Sequence, residues 1–280
     1  MRERQRIDFT FARAVMVAAV ALVCLFVNLT HAQSTRNLTP AQIAIEKQQQ
    51  RLSSGDEEDR RDALMRLGAM RSESASRVAL AGLSDVSPIV RVTAAKAILS
   101  LPPAQSAAAL LPLLQDKDEF VRREVAYSLG VTRSRTATDA LSERLLNDKE
   151  AGVRGAAAVA LGHIGDESAV IALASALAPQ LSAPAKNKRK PEENPFVLRA
   201  AAVALGQIKN RAGVPALLFA VNNEKFPYDV RREAARSLGS IGDPSAIPAL
   251  QSASLSEDPF LSRLAHESLR KLRRGATVTP

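Results

Sequence analysis

Cysteine and tryptophan are nearly missing from this 280-residue chain: there is one cysteine and no tryptophan. The cysteine, Cys24, lies inside an apolar N-terminal run. Beyond it no thiol exists for a disulfide, a thiolate metal site or a cysteine nucleophile. Three histidines are few for zinc chemistry or a Ser-His-Asp triad. Aromatic residues make up 4% of the chain, which argues against an aromatic-lined ligand pocket. Long apolar runs are absent outside residues 14–27.

That one run reads as an export signal. Arg2, Arg4, Arg6 and Arg13 outweigh Glu3 and Asp8, an unbroken apolar stretch runs from Ala14 to Val27, and Thr30-His31-Ala32 ends in small residues. This order predicts a secretory signal peptide over residues 1–32, cleaved after Ala32. The stretch is shorter than the roughly 20 residues that span a bilayer. The alternative is an uncleaved membrane anchor over residues 14–29. Val23 is bulky where a lipid-attachment site wants a small residue. Removing the segment takes away four arginines and two carboxylates, so the formal charge of +9 falls to +7. The expected location is extracytoplasmic, periplasmic or secreted.

Self-comparison then organises the rest. VRREVAYSLG (Val121 to Gly130) recurs as VRGAAAVALG from Val153, VLRAAAVALG from Val197 and VRREAARSLG from Val230. Weaker copies start at Val90, Asp59 and Leu261. The copies end at residues 68, 99, 130, 162, 206, 239 and 270, with spacings of 31, 31, 32, 44, 33 and 31. A fixed period of this size signals stacked repeats. Alanine and leucine recur at i, i+3, i+4 and i+7, as in Val230, Ala234 and Leu238, which makes one apolar helical face. The glycine at the tenth position of five copies reads as a helix C-terminal stop. A second apolar stretch follows six of the copies, and Asp166 and Asp243-Pro244 mark two of its starts as caps. Every unit is therefore expected to be a helix A, a turn and a helix B.

The pattern VRREAARSLGSIGDPSAIPAL, Val230 to Leu250, resembles HEAT-like repeats, particularly the short bacterial kind grouped with phycobilisome lyases. The resemblance implies an all-α fold: a right-handed α-solenoid of about seven HEAT-like helix pairs after the signal peptide. Residues 33–55 are expected to be a polar linker with a capping helix, started by Thr39, Pro40 and Gln42. The solenoid runs over residues 56–274, and residues 275–280 are a disordered tail. The long interval holds an insertion at 179–194 whose three prolines exclude a helix. Lys186, Lys188, Arg189 and Lys190 form its basic tip.

Three Asp-x5-Arg pairs, Asp85/Arg91, Asp116/Arg122 and Asp148/Arg154, recur in phase with the repeat. They read as a structural ladder, each Asp capping a helix A and each Arg reaching an Asp of the adjacent repeat. Phe120, Phe196 and Phe260 share one phase and read as inter-repeat core. Among HEAT-like enzymes, resemblance to deoxyhypusine hydroxylase implies two irons held by His-Glu pairs near the start of A helices. The matching positions here hold Arg123-Glu124 and Arg232-Glu233, with Arg61-Asp62 a looser echo, and arginine does not ligate a metal cation. His266-Glu267 is out of phase and His163 stands alone. No residue carries over from the bilin lyases.

These readings lead to the expectation of a non-catalytic interaction scaffold outside the cytoplasm, with no cofactor, no metal and no catalytic residue. Its partner is expected to be a protein, acidic if the basic tip contacts it. It would bind along the concave helix-B face through Arg77, Gln115, Glu143, Arg144 and Gln251, and through Lys186, Lys188, Arg189 and Lys190. Nucleic acid is not expected, because export and the lack of stacking aromatics oppose it. Membrane contact is expected only through an uncleaved N-terminus or the basic loop. The alternatives are a HEAT-like enzyme or chromophore lyase, or a membrane-anchored adaptor.

Overall fold

The computed structural model describes residues 38–181 and 193–276. The expected signal peptide, the residues Lys186, Lys188, Arg189 and Lys190, and the last four residues lie outside the described residues. The chain divides into Met1–Gln50 and Arg51–Pro280. In the first unit, helix α1 (Pro40–Arg51) begins at a reciprocal capping box. The Thr39 amide donates to Gln42 Oε1 at 2.8 Å, and the Gln42 amide donates to Thr39 Oγ1 at 3.3 Å.

The second unit is the repeat array, an all-α solenoid without strands among the described residues. Its A helices are α2 (Glu57–Ala69), α4 (Pro88–Ala97), α6 (Glu119–Thr132), α8 (Ala151–Ile164), α10 (Pro195–Ile208), α12 (Tyr228–Ile241) and α14 (Pro259–Ala276). Between them run the B helices α3 (Glu73–Ala79), α5 (Pro103–Leu110), α7 (Thr138–Asn147), α9 (Val170–Leu177), α11 (Val214–Asn222) and α13 (Ile247–Ala253). Each A helix packs on the next A helix and on the B helices beside it, which makes two layers. The core between them is mostly leucine and alanine, with Leu64, Leu110, Leu129, Leu161, Leu173 and Leu205 fully buried.

The alanines and the tenth-position glycines let the A helices approach closely. Here the structure corrects the expected helix stop. Helices α6, α8, α10 and α12 run past Gly130, Gly162, Gly206 and Gly239 by two residues. The left-handed ends are instead Arg133 (φ 53°), Gly165 (φ 72°), Lys209 (φ 60°) and Gly242 (φ 79°). The internal glycines are there for contact. A Cβ on Gly130 would lie 2.8 Å from Ala160 Cα of the next A helix, and one on Gly239 would lie 2.8 Å from Ser268 Cα. Ser237 and Ser268 stitch the same seams, donating to the carbonyls of Ala202 (2.8 Å) and Ala235 (2.9 Å) one repeat earlier.

Starts are set by local chemistry. Asp118 accepts the amides of Phe120 and Val121, and Asn194 accepts that of Phe196. Asp166 and Asp243 accept the amides of Ser168 and Ser245, opening the 3-10 turns that lead into α9 and α13.

Candidate functional site

Two rows of arginines run along the A helices. The first follows the residue after the one that opens each repeat copy. Arg60 donates to Asp85 from Nε (2.7 Å) and Nη2 (3.0 Å), Arg91 to Asp116 (2.8 and 2.8 Å), and Arg122 to Asp148 (2.8 and 3.0 Å). Each contact is a two-pronged guanidinium–carboxylate pair between successive repeats. The remaining Nη1 of Arg91 and Arg122 donates to two carbonyls in the turn before its own helix. The aspartates stand two residues before the helix caps Ser87, Asp118 and Glu150 and accept those residues' amides, so they brace the turn and are not themselves the caps.

The ladder continues where no Asp is available. Arg154 pairs with Glu193 at 3.0 and 2.6 Å, a residue at the end of the insertion whose part the sequence pattern did not reveal. At the next step Leu198 replaces the arginine and is buried. Asp85, Asp116 and Asp148 titrate low. Hydrogen bonds from Arg60 hold Asp85 below the usual carboxylate range against the opposing effect of burial. For Asp116 and Asp148 burial pushes upward most strongly, but the bonds from Arg91 or Arg122 and from a backbone amide outweigh it.

The second row lies one residue further along. Arg123 sits over Phe120 at 5.0 Å. In the last two repeats the alternation is continuous and takes in Arg231 of the first row: Arg231 over Tyr228 at 5.6 Å, Arg232 between Tyr228 (6.0 Å) and Phe260 (4.9 Å), and Arg263 over Phe260 at 5.5 Å. Arg232 is fixed by Asp258, from Nε at 2.7 Å and Nη2 at 2.5 Å. That pairing was not foreseen, because Asp258 stands at the helix cap instead of the ladder position. Tyr228 and Phe260 stay 45% and 53% exposed.

This corrects the assignment of Phe120, Phe196 and Phe260 to the core. They are 52%, 37% and 53% exposed. At the first turn of an A helix the preceding repeat covers only one side of the ring, as Gly155 does for Phe196. The result is a half-exposed surface of rings and guanidinium groups.

The described residues expected to contact a partner are Arg77, Gln115, Glu143, Arg144 and Gln251. Gln115, Glu143 and Gln251 are exposed. Arg77 pairs with Glu73 on its own helix. Arg144 is only 14% exposed, bonded to Glu143 and 3.7 Å from Asp148, so it belongs to the ladder's surroundings. At the iron-ligand positions of the hydroxylase pattern, Glu124 meets Lys96 at 2.8 Å and Glu233 meets Arg236 at 3.7 Å. Among the described residues no group of three or more His, Cys, Asp or Glu is placed to hold a metal ion. The donor set does not fit a diiron centre.

The model of HEAT repeats matches residues 45–130, 76–161, 107–183 and 186–270, and the chain belongs to that family. It is similar to deoxyhypusine hydroxylase-B of Oryza sativa, 27% identical over 241 residues, which cover 75% of this chain and 76% of the relative. It is 43% identical to deoxyhypusine hydroxylase of Gallus gallus over 60 residues, 21% of this chain and about a fifth (19%) of the relative's length. It is 40% identical to phycocyanobilin lyase subunit alpha of a Picosynechococcus over 89 residues, 32% of this chain and 30% of the relative. These relatives overturn the expectation that the chain is not an enzyme, since the proteins it resembles are named as a hydroxylase and a lyase subunit.

Proposed function

We propose that this chain is a subunit of a lyase-type enzyme. It holds a flat, conjugated, carboxylate-bearing molecule of the bilin class on the arginine–aromatic row of its last repeats and presents it to a protein partner. The continuous alternation Arg231, Tyr228, Arg232, Phe260, Arg263 carries this reading. Half-exposed rings offer faces for a conjugated plane, and guanidinium groups offer planar forks for carboxylates. Similarity to a lyase subunit supports it, and the word subunit supports a protein partner. The hydroxylase reading loses its metal, because arginines and ion-paired glutamates occupy the ligand positions. In this reading residues 1–32 direct the chain out of the cytoplasm.

The test is a titration of the full-length chain with biliverdin, followed by visible absorption. A saturable red shift is expected, with affinity at least tenfold weaker in a Tyr228→Ala/Phe260→Ala variant and in Arg231→Gln. Phe120→Ala, on the separate pair with Arg123, leaves it unchanged. Equal binding by the Tyr228→Ala/Phe260→Ala variant and the parent would refute the assignment.

A further inference from the structure

Every A helix but the last carries the following A helix on one face, and the contacts define that face residue by residue. Counting the residue that opens each copy as zero, so that the tenth-residue glycine is position nine, the second position meets the ring that starts the next helix: Gly155 lies against Phe196, and Arg232 over Phe260. The fifth position offers its carbonyl to the next helix, as Ala202 does to Ser237 and Ala235 to Ser268. The ninth, the internal glycine, touches the next backbone, as Gly130 does at Ala160 and Gly239 at Ser268. Small residues dominate the fifth and ninth positions because a neighbouring helix must sit directly on them, whereas the second already holds arginine in Arg61, Arg123, Arg199 and Arg232.

Helix α14 keeps the seat and changes its chemistry at the fifth and ninth positions. Its second, fifth and ninth positions are Arg263, His266 and Arg270, and Arg273 follows three residues on. These four residues line one open groove of about 560 Å³, and no carboxylate lines it with them. Arg263 has one distant acidic neighbour, Glu267 at 3.9 Å. The spacing i, i+3, i+7, i+10 puts the three arginines and the histidine in a single stripe about 15 Å long at 1.5 Å per residue. An eighth repeat of the same kind cannot stack here, since His266 and Arg270 occupy the places of an alanine and a glycine. A terminal repeat needs a polar outer face, but polarity alone does not call for a stripe lined by arginines and a histidine without an acid.

We infer that this end face is the seat of an acidic helix from a protein partner. Shape and charge point the same way: the register is that of a helix-receiving surface, and its polar groups are three arginines and a histidine. The partner helix presents carboxylates at i, i+3 or i+4, and i+7 towards Arg270, His266 and Arg273. An aromatic side chain near its start takes the place over Arg263 that Phe260 takes over Arg232. This goes beyond the lyase-type reading and does not depend on it.

The test uses the full-length chain and a fluorescein-labelled helical peptide of glutamate and alanine with one tyrosine in its first turn. Fluorescence anisotropy is expected to show saturable binding that weakens as salt rises, because exposed charges are screened over about 8 Å at physiological ionic strength. A His266→Ala/Arg270→Gln/Arg273→Gln variant is expected to bind at least tenfold more weakly, with its far-UV spectrum and melting temperature unchanged. Arg270→Glu alone gives a loss in the same direction, and Arg270→Lys/Arg273→Lys stays within about threefold of the parent. Tyr228→Ala, whose ring meets Arg231 and Arg232 and none of the four seat residues, binds the peptide normally, which separates this seat from the bilin site. Equal affinity in the triple variant and the parent would overturn the inference. So would sedimentation with phosphatidylglycerol vesicles that these three substitutions abolish while the peptide does not bind, since the occupant would then be a membrane.

Discussion

Truncating Asp148 to alanine tests the ladder where it is most buried. The side chains of Arg122 and Asp148 are 7% and 1% exposed. Asp148 accepts two bonds from Arg122 and one from the Glu150 amide. Removing it leaves a guanidinium in the interior with only the carbonyls of Asp116 and Lys117 as acceptors. Breaking a buried pair from one side costs about 3–5 kcal/mol, and Asp148→Ala is placed in that range. Arg122→Ala is expected to cost less, about 2–3 kcal/mol, by the asymmetry of unmet polar groups. Arg144 lies only 3.7 Å from Asp148 and takes over the carboxylate, whereas nothing replaces Asp148 for Arg122. Arg66→Gln, which removes an exposed pair with Asp62, serves as the control at under about 0.5 kcal/mol. Urea unfolding followed by far-UV circular dichroism measures all three. An Asp148→Ala loss under about 1 kcal/mol, or a larger loss in Arg122→Ala, would refute the reasoning.

Two further outcomes follow from the same geometry. Asp85, Asp116 and Asp148 are held below the ordinary carboxylate range. The stability they contribute is fully present above the unfolded value of about 3.9 and is lost as pH falls from there through the lower folded values. Urea midpoints are therefore expected to hold steady from neutral pH to about 5 and to drop below about 4, less steeply in Asp148→Asn. Gly130→Ala gains about 1 kcal/mol of helix propensity. Overpacking against Ala160 Cα at 2.8 Å costs about 1–3 kcal/mol, so the variant is expected to be less stable on balance. Gly152→Ala has only Arg123 Cδ at 3.5 Å and is expected to be neutral or more stable in the same melt.

Much of this architecture was legible in the chain, because period and helical face are written in residue type. The pairing of Arg91 with Asp116 and of Arg122 with Asp148 follows from charges recurring at repeat spacing. Other features depend on depth and direction, which a linear pattern does not carry. Gly130 looks the same whether it ends a helix or admits a neighbour, and only the continuation of α6 to Thr132 decides. Phe120 and Phe260 fall in a regular phase, but that phase lies at the helix start, where one side of the ring stays open. Glu193 and Asp258 serve as partners of Arg154 and Arg232 from positions outside the repeat's own register. The arginines at the hydroxylase ligand positions were visible from the start. Their place over aromatic rings was not, since it depends on the next repeat.

The most direct test of the lyase-type account is equilibrium dialysis of the purified full-length chain against biliverdin and, separately, against ferrous iron. The account predicts one biliverdin bound per chain, largely lost in Tyr228→Ala/Phe260→Ala, and no stoichiometric iron. Stoichiometric iron retained by the parent chain, with no biliverdin bound, would contradict it.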